Sequence, residues 1–293
     1  MIRSLIHTRF KLLMLLMCSI LVVIPLVSVV TAWAAESSCP GDVVPGIGAH
    51  SYILMDSQTG RVLAQRKAWT KRAPASTTKI ITGIIALETG NTDSPVQVSP
   101  KAAATGEASL ELKEGEVLTL EALLYGALLC SGNDACVAIS EHIAGSEERF
   151  SYLMNQKAFL IGAVDSNFIN PHGLPAKGHY STAYDLALLA RYSLRNPHFG
   201  KIVSSKTKVI NTITPNKKRY LYNTNQLLWG TVGANGVKTG TTVEAGRCLV
   251  ASVTRDGRQL ITVVLKSPDR YRDTLKLLEY GFRKSKNTLD QEG

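Results

Sequence analysis

Strand-like segments stand at the two ends of the folded part of this chain, and a long apolar, helix-patterned stretch separates them. Residues 51–56 and 61–65, divided by a turn at 57–60, read as a hairpin. Residues 247–253 and 260–265 form a second strand pair joined through Asp256-Gly257, a dipeptide suited to tight hairpin turns. Shorter strands are expected at 208–214 and 237–239. Between the pairs the periodicity predicts helices over 77–89, 118–129, 134–144, 147–160 and 182–194, and a last helix over 269–283 closes the order. Hairpins separated in this way can share one sheet while the helices between them form an insertion. The expectation is an α+β sandwich with an antiparallel sheet of about five strands, helices on both faces and an inserted helical subdomain.

The N-terminus reads as an export segment. Residues 1–35 carry Arg3, Arg9 and Lys11 and no acid, then an apolar run over 12–30 and the small-x-small site Ala32-Trp33-Ala34. Cleavage after Ala34 or Ala35 is expected. The run also approaches the roughly 20 residues that span a bilayer, so an uncleaved anchor making membrane contact is the alternative. Residues 36–48, rich in Gly, Pro and Ser, are expected as a linker, residues 49–283 as one catalytic unit and 284–293 as a polar tail. The net charge of +10 falls to +7 without the three leader cations. A basic exported protein suits anionic wall polymers or lipid headgroups, or merely has a solvated basic surface. No basic block interleaved with aromatics points to nucleic acid.

Cysteine usage adds little. Cys18 lies inside the apolar run, and Cys39, Cys130, Cys136 and Cys248 leave disulfide pairing open in an oxidising compartment. Cys130 and Cys136 read as small buried hydrophobes more than as a disulfide pair. No histidine spacing of the His-Glu-x-x-His kind occurs, so neither metal nor cofactor is expected.

Three short motifs carry chemistry: Ser76-Thr77-Thr78-Lys79, Ser131-Gly132-Asn133 and Lys238-Thr239-Gly240. Each alone is weak, since Ser205 and Lys208 repeat the first spacing by chance; order and context give the trio its force. Ser76 falls at a predicted helix start, where residues three apart share a face, so Lys79 can reach its hydroxyl. Burial and a second cation such as Lys238 would lower the lysine pKa enough for it to act as a base. Backbone N–H groups at that helix start, and the N–H of Thr241, are candidates for an oxyanion site. Ser131 could relay a proton and Asn133 could bind a substrate carbonyl. Lys238 and Thr239 could hold a carboxylate, while Gly240 lets a peptide backbone approach the strand. Taken singly, Ser76 and Ser131 also read as helix caps.

With these residues in hand, the chain resembles the low-molecular-mass penicillin-binding proteins, specifically the serine D-alanyl-D-alanine carboxypeptidases. The resemblance runs over residues 49–282 and includes Pro74-Ala-Ser-Thr-Thr-Lys79, Leu129-Cys-Ser-Gly-Asn-Asp-Ala135, Asn170-Pro-His-Gly-Leu174, Ser181-Thr-Ala-Tyr-Asp-Leu186, Asn223-Thr-Asn225 and Gly236-Val-Lys-Thr-Gly-Thr241. It implies the β-lactamase/DD-peptidase fold, an acyl-enzyme at Ser76, Lys79 as base, Ser131 and Asn133 in the second motif, and Lys238 on the terminal carboxylate. It also implies peptidoglycan stem peptides ending in D-Ala-D-Ala as substrate and β-lactams as covalent inhibitors. The family commonly continues into a small β-rich domain and an amphipathic anchor; here any anchor is expected in the N-terminal segment. A class A β-lactamase is disfavoured, because no acid between Asn133 and Lys238 sits in the Glu-x-x-Leu-Asn pattern of its deacylating base. A penicillin-sensing module, in which acylation is the signal, would normally be fused to membrane-spanning signalling segments, and no such stretch follows residue 35. D,D-endopeptidase or transpeptidase action stays open.

Overall fold

A five-stranded antiparallel sheet organises the molecule, and its strands come from both ends of the folded chain, as the segment order predicts. β1 (Ser51–Asp56) and β2 (Val62–Arg66) form the first hairpin; β7 (Ala234–Thr242), β8 (Gly246–Arg255) and β9 (Arg258–Ser267) supply the rest in the order β2-β1-β9-β8-β7. Asp256 (φ 48°) and Gly257 (φ 75°) both take left-handed backbone at the β8–β9 turn, the conformation that matches the strand twist. The computed structural model describes residues 41–292, so the expected leader or anchor, its cleavage site and Cys39 lie outside the described residues.

Both faces of the sheet are covered. Side chains alternate along a strand, so Tyr52 and Leu54 face one layer and Ile53 and Met55 the other, and all four are buried. The Tyr52–Leu54 face packs on α9 (Arg270–Glu292) through Leu277 and Leu278. The opposite face packs on the helical insertion: α1 (Lys79–Thr89), α2 (Pro100–Ala103), α3 (Leu120–Leu129), α4 (Asn133–Ala144), α5 (Glu147–Ile161), α6 (Ala183–Ser193) and α7 (Pro197–Ser204). Helix α1 is buried on every side from Lys79 to Ala86, which makes it the axis of that layer. Two small ribbons complete the insertion, β3 (Pro95–Gln97) with β4 (Val117–Thr119), and β5 (Thr207–Asn211) with β6 (Lys218–Tyr222); α8 (Leu227–Gly230) leads into β7.

The structure differs from expectation at element ends. The helix expected over 118–129 begins with a strand residue pair and starts at Leu120, because the Thr119 hydroxyl accepts from the Ala122 N–H and caps it there. Helix α9 continues to Glu292, so the segment expected as a polar tail is helical as far as that residue. The described part of the expected linker is docked: Asp42 bridges to Ala64, and Val44 and Ile47 are buried. Among the described residues no helix is long and apolar enough to cross a membrane.

Candidate active site

The helix bearing Lys79 does not start where the sequence suggests. A 3₁₀ turn, Ala75–Thr78, precedes α1, and Ala75 takes left-handed backbone (φ 49°). The Thr77 hydroxyl donates to the Pro74 carbonyl (2.6 Å) and closes the turn. Ser76 is thereby half-exposed one turn before the helix, while Lys79 enters the core as its first residue. The three-residue spacing still brings them together: Lys79 Nζ lies 3.1 Å from Ser76 Oγ.

Two further acceptors fix the lysine. Its Nζ donates to Asn133 Oδ1 (2.7 Å) and to the His172 carbonyl (2.7 Å). Burial without a carboxylate partner disfavours the ammonium and lowers the Lys79 pKa from 10.5 to about 8. A neutral amine here would keep its two N–H bonds to Asn133 and His172 and aim its lone pair at the serine proton. Burial is the main cause; the second cation expected to assist, Lys238, is itself pushed well below the ordinary lysine range by burial and then by the charge of Lys79.

The Asn133 amide, expected to bind a substrate carbonyl, also serves the protein's own network: Oδ1 accepts from Lys79 Nζ and Nδ2 donates to the Gly106 carbonyl (3.0 Å). Next to it, the buried Asp134 accepts from Ser109 Oγ (2.7 Å) and from the Leu110 and Leu112 N–H groups, which holds the 106–112 segment over the second motif. Ser131 sits between α3 and α4 in left-handed backbone (φ 67°), and among the described residues its hydroxyl has no hydrogen-bond partner. That leaves it available to a substrate atom or a proton in transit.

β7 is the edge of the sheet nearest Ser76. A Cβ on Gly240 would lie 2.9 Å from the Ser76 nitrogen and 3.1 Å from that of Thr77. Gly240 therefore admits the protein's own Ser76 turn against the strand, in addition to the peptide approach expected of it. Lys238 is buried and donates to the Thr239 carbonyl (3.0 Å); the Thr239 hydroxyl meets Thr224 Oγ1 (2.8 Å). Thr241 is exposed, and its hydroxyl accepts from Arg270 Nη1 (2.9 Å), which also reaches the Gly240 carbonyl (3.0 Å).

Three contributors were invisible as individuals. His172 acts through its carbonyl, which no side-chain pattern announces; its ring is held by the Leu174 N–H (3.2 Å) and by Glu147, 3.3 Å from Nε2. The hydrogen bond from His172, with one from Lys101, holds the Glu147 carboxyl below its ordinary range against the cost of burial. Arg270 stands at the start of α9, far from every motif in sequence, and Thr224 enters through the Asn223-Thr-Asn225 segment, whose Asn225 Nδ2 braces the Gly236 carbonyl (2.9 Å). Among the described residues the cysteines are free: Cys136 and Cys248 are buried, Cys130 is half-buried, and burial pushes their thiols up. Among the described residues no cluster could hold a metal ion.

The family model for D-alanyl-D-alanine carboxypeptidase, peptidase S11, matches residues 39–269, which contain the whole constellation except Arg270. The chain belongs to this family. It is 38% identical over 242 residues to the D-alanyl-D-alanine carboxypeptidase DacF of Bacillus subtilis, covering 80% of this chain and 62% of that protein. It is 38% identical over 269 residues to DacC of Escherichia coli, covering 86% of this chain and 65% of that protein. The chain thus spans under two thirds of the length of these curated relatives. Among solved structures, a mutant of the Streptomyces K15 DD-transpeptidase superposes with a TM-score of 0.79 at 32% identity, covering 82% of this chain and 100% of that one. The carboxypeptidase DacD of Francisella tularensis gives 0.75 at 31% identity, with 84% and 72% covered. These are mixed sheet-and-helix peptidase folds like the one described above.

Proposed function

We propose that this chain is an exported serine D-alanyl-D-alanine carboxypeptidase that removes the terminal D-alanine from peptidoglycan stem pentapeptides through an acyl-enzyme at Ser76. The observation that carries the reading is the buried Lys79 Nζ, 3.1 Å from Ser76 Oγ with its pKa near 8. In the neutral form Lys79 takes the Ser76 proton as Oγ attacks the carbonyl of the penultimate residue. The N–H groups of Ser76 and Thr241 are the proposed donors to the oxyanion. Ser131 carries the proton to the departing D-alanine amine, and water then releases the shortened peptide.

The free carboxylate of the substrate would lie at the end of β7. Thr239 and Thr241 supply hydroxyls there, and Arg270 supplies a planar guanidinium. Lys238 reinforces the site from beneath, and an arriving carboxylate would favour its charged form. β-Lactams would acylate the same serine. An amine in place of water would give D,D-transpeptidase or endopeptidase products, a second outcome favoured by the named activity of the Streptomyces relative.

The test is D-alanine release from a soluble pentapeptide by the full chain, by Ser76→Ala and by enzyme pre-treated with penicillin. Release abolished in both controls supports the reading. Release that survives Ser76→Ala contradicts it, and cross-linked or exchanged products in the presence of an amine acceptor would transfer the assignment to transpeptidation.

A further inference from the structure

The β5–β6 ribbon turns one face inward and leaves the other uncovered. Ile210 and Leu221 are buried, and Arg219 pairs with the buried Glu116 at 2.9 Å. These alternate with a second set that shares the outer face: Thr207 opposite Tyr222, Val209 opposite Tyr220, and Asn211 opposite Lys218. Tyr220 is 67% exposed and Tyr222 63%, an unusual outlay of aromatic surface to water. Two residues apart on one strand, their rings stand roughly 7 Å from each other along the face.

The strand that carries this face runs on into the candidate active site. The Tyr222 carbonyl accepts from Sγ of Cys130, the residue before Ser131, at 3.6 Å. Two residues further on, Thr224 joins Thr239. A substrate held at Ser76 and β7 therefore has the tyrosine face beside it.

We propose that this face docks the glycan strand to which the stem peptide is attached, a chain of N-acetylated amino sugars. The inference rests on the peptidoglycan reading above. A sugar ring presents an apolar C–H face and a rim of hydroxyl and amide groups. Tyrosine rings offer flat contact area at small entropic cost, and each ends in a hydroxyl. Thr207, Asn211 and Lys218 interleave with them and offer donors and acceptors to the rim. A lipid surface selects another pattern, a continuous apolar face or tip that inserts below the headgroups. Here the apolar set of Val209, Tyr220 and Tyr222 is small and is bounded by Thr207, Asn211 and Lys218, and the connecting turn exposes Asn216 and Lys217 together with Ile213.

The test compares the same pentapeptide free and linked to an oligosaccharide of alternating N-acetylated amino sugars, using the full chain and a Tyr220→Ala, Tyr222→Ala double variant. The wild type is expected to prefer the sugar-linked substrate through KM, by roughly tenfold, and the double variant to lose that preference while its rate on the free peptide is unchanged. Tyr220→Phe with Tyr222→Phe, which keeps the rings, should retain most of it. Equal handling of both substrates by the wild type, or an unchanged preference in the double variant, overturns the proposal. Co-sedimentation of Ser76→Ala enzyme with peptide-free glycan separates the two readings. If the wild type turns over neither substrate the carboxypeptidase reading falls, whereas the docking surface stands on glycan binding that the Tyr→Ala pair abolishes and falls without it. Tyr-dependent binding to anionic phospholipid vesicles with no binding to glycan would assign the face to a membrane instead.

Discussion

Lys79 Nζ and Ser76 Oγ are 3.1 Å apart, and among the described residues the lysine that makes this contact is in direct contact with no carboxylate. In the proposed mechanism the pair works as nucleophile and base only while the amine is neutral, which sets the pH dependence. With the Lys79 pKa lowered from 10.5 to about 8, the protonated, inactive form dominates below that value. Acylation by penicillin should rise about tenfold per pH unit up to that point and then level. A rate independent of pH between 6 and 9 would remove Lys79 as the base. Lys79→Arg, which keeps the charge and cannot deprotonate, should lower acylation by roughly 10²–10⁴ while the protein stays folded by circular dichroism.

Asn133 offers a signed test of the same relationship. Replacing it with Asp puts a carboxylate where Oδ1 now lies 2.7 Å from Lys79 Nζ. A negative charge so close favours the ammonium, so the midpoint of the pH–acylation curve should move up by about 1–3 units. The rate at neutral pH should fall accordingly, and alkaline buffer should restore part of it. A midpoint that stays in place or moves down would show that Asn133 does not tune the lysine.

Two glycines separate a local from a global effect. A Cβ on Gly240 meets the backbone nitrogen of Ser76 at 2.9 Å, so the Ser76 turn must move to admit it. Gly240→Ala should cost acylation roughly tenfold or more and lower Tm less than the change at Gly173 does. A Cβ on Gly173 would lie 1.9 Å from the Ala75 carbonyl oxygen, and its φ of +90° disfavours any side chain. Gly173→Ala should therefore destabilise by about 1–3 kcal/mol, visible as a fall in Tm. Equal Tm for the two variants would contradict this packing.

Arg270 should act in binding more than in chemistry. Its Nη1 reaches both Thr241 Oγ1 and the Gly240 carbonyl, so it is poised at the proposed carboxylate site. Arg270→Ala should raise KM roughly 10- to 100-fold for a substrate with a free C-terminal carboxylate. An amide-capped analogue should be affected much less. Equal losses on both would assign Arg270 to holding β7 in place.

The broad fold was legible because its strongest signals are local. The Asp256-Gly257 turn, the apolar periodicity of α1 and the Thr182 cap of α6, whose hydroxyl accepts from the Asp185 N–H, all express themselves within a few residues. The ribbon strand β6, the docking of the segment at 41–48 and helix α7 were not read, since each is defined by what it packs against. Within the site, the serine-lysine spacing announced the Ser76–Lys79 contact directly. The use of Asn133 did not, because its amide partner arrives from a helix 54 residues away in sequence. His172 contributes a main-chain carbonyl and Arg270 comes from the helix that closes the fold, so only the assembled structure brings them to the serine.

The central claim is that Ser76 is the acylated nucleophile. Peptide mapping by mass spectrometry after incubation of the full chain with penicillin tests it most directly. One penicilloyl group on the peptide carrying Ser76, lost in Ser76→Ala and slowed in Lys79→Arg, is the predicted result. An adduct on Ser131, on Cys130 or on no residue of the chain would contradict it.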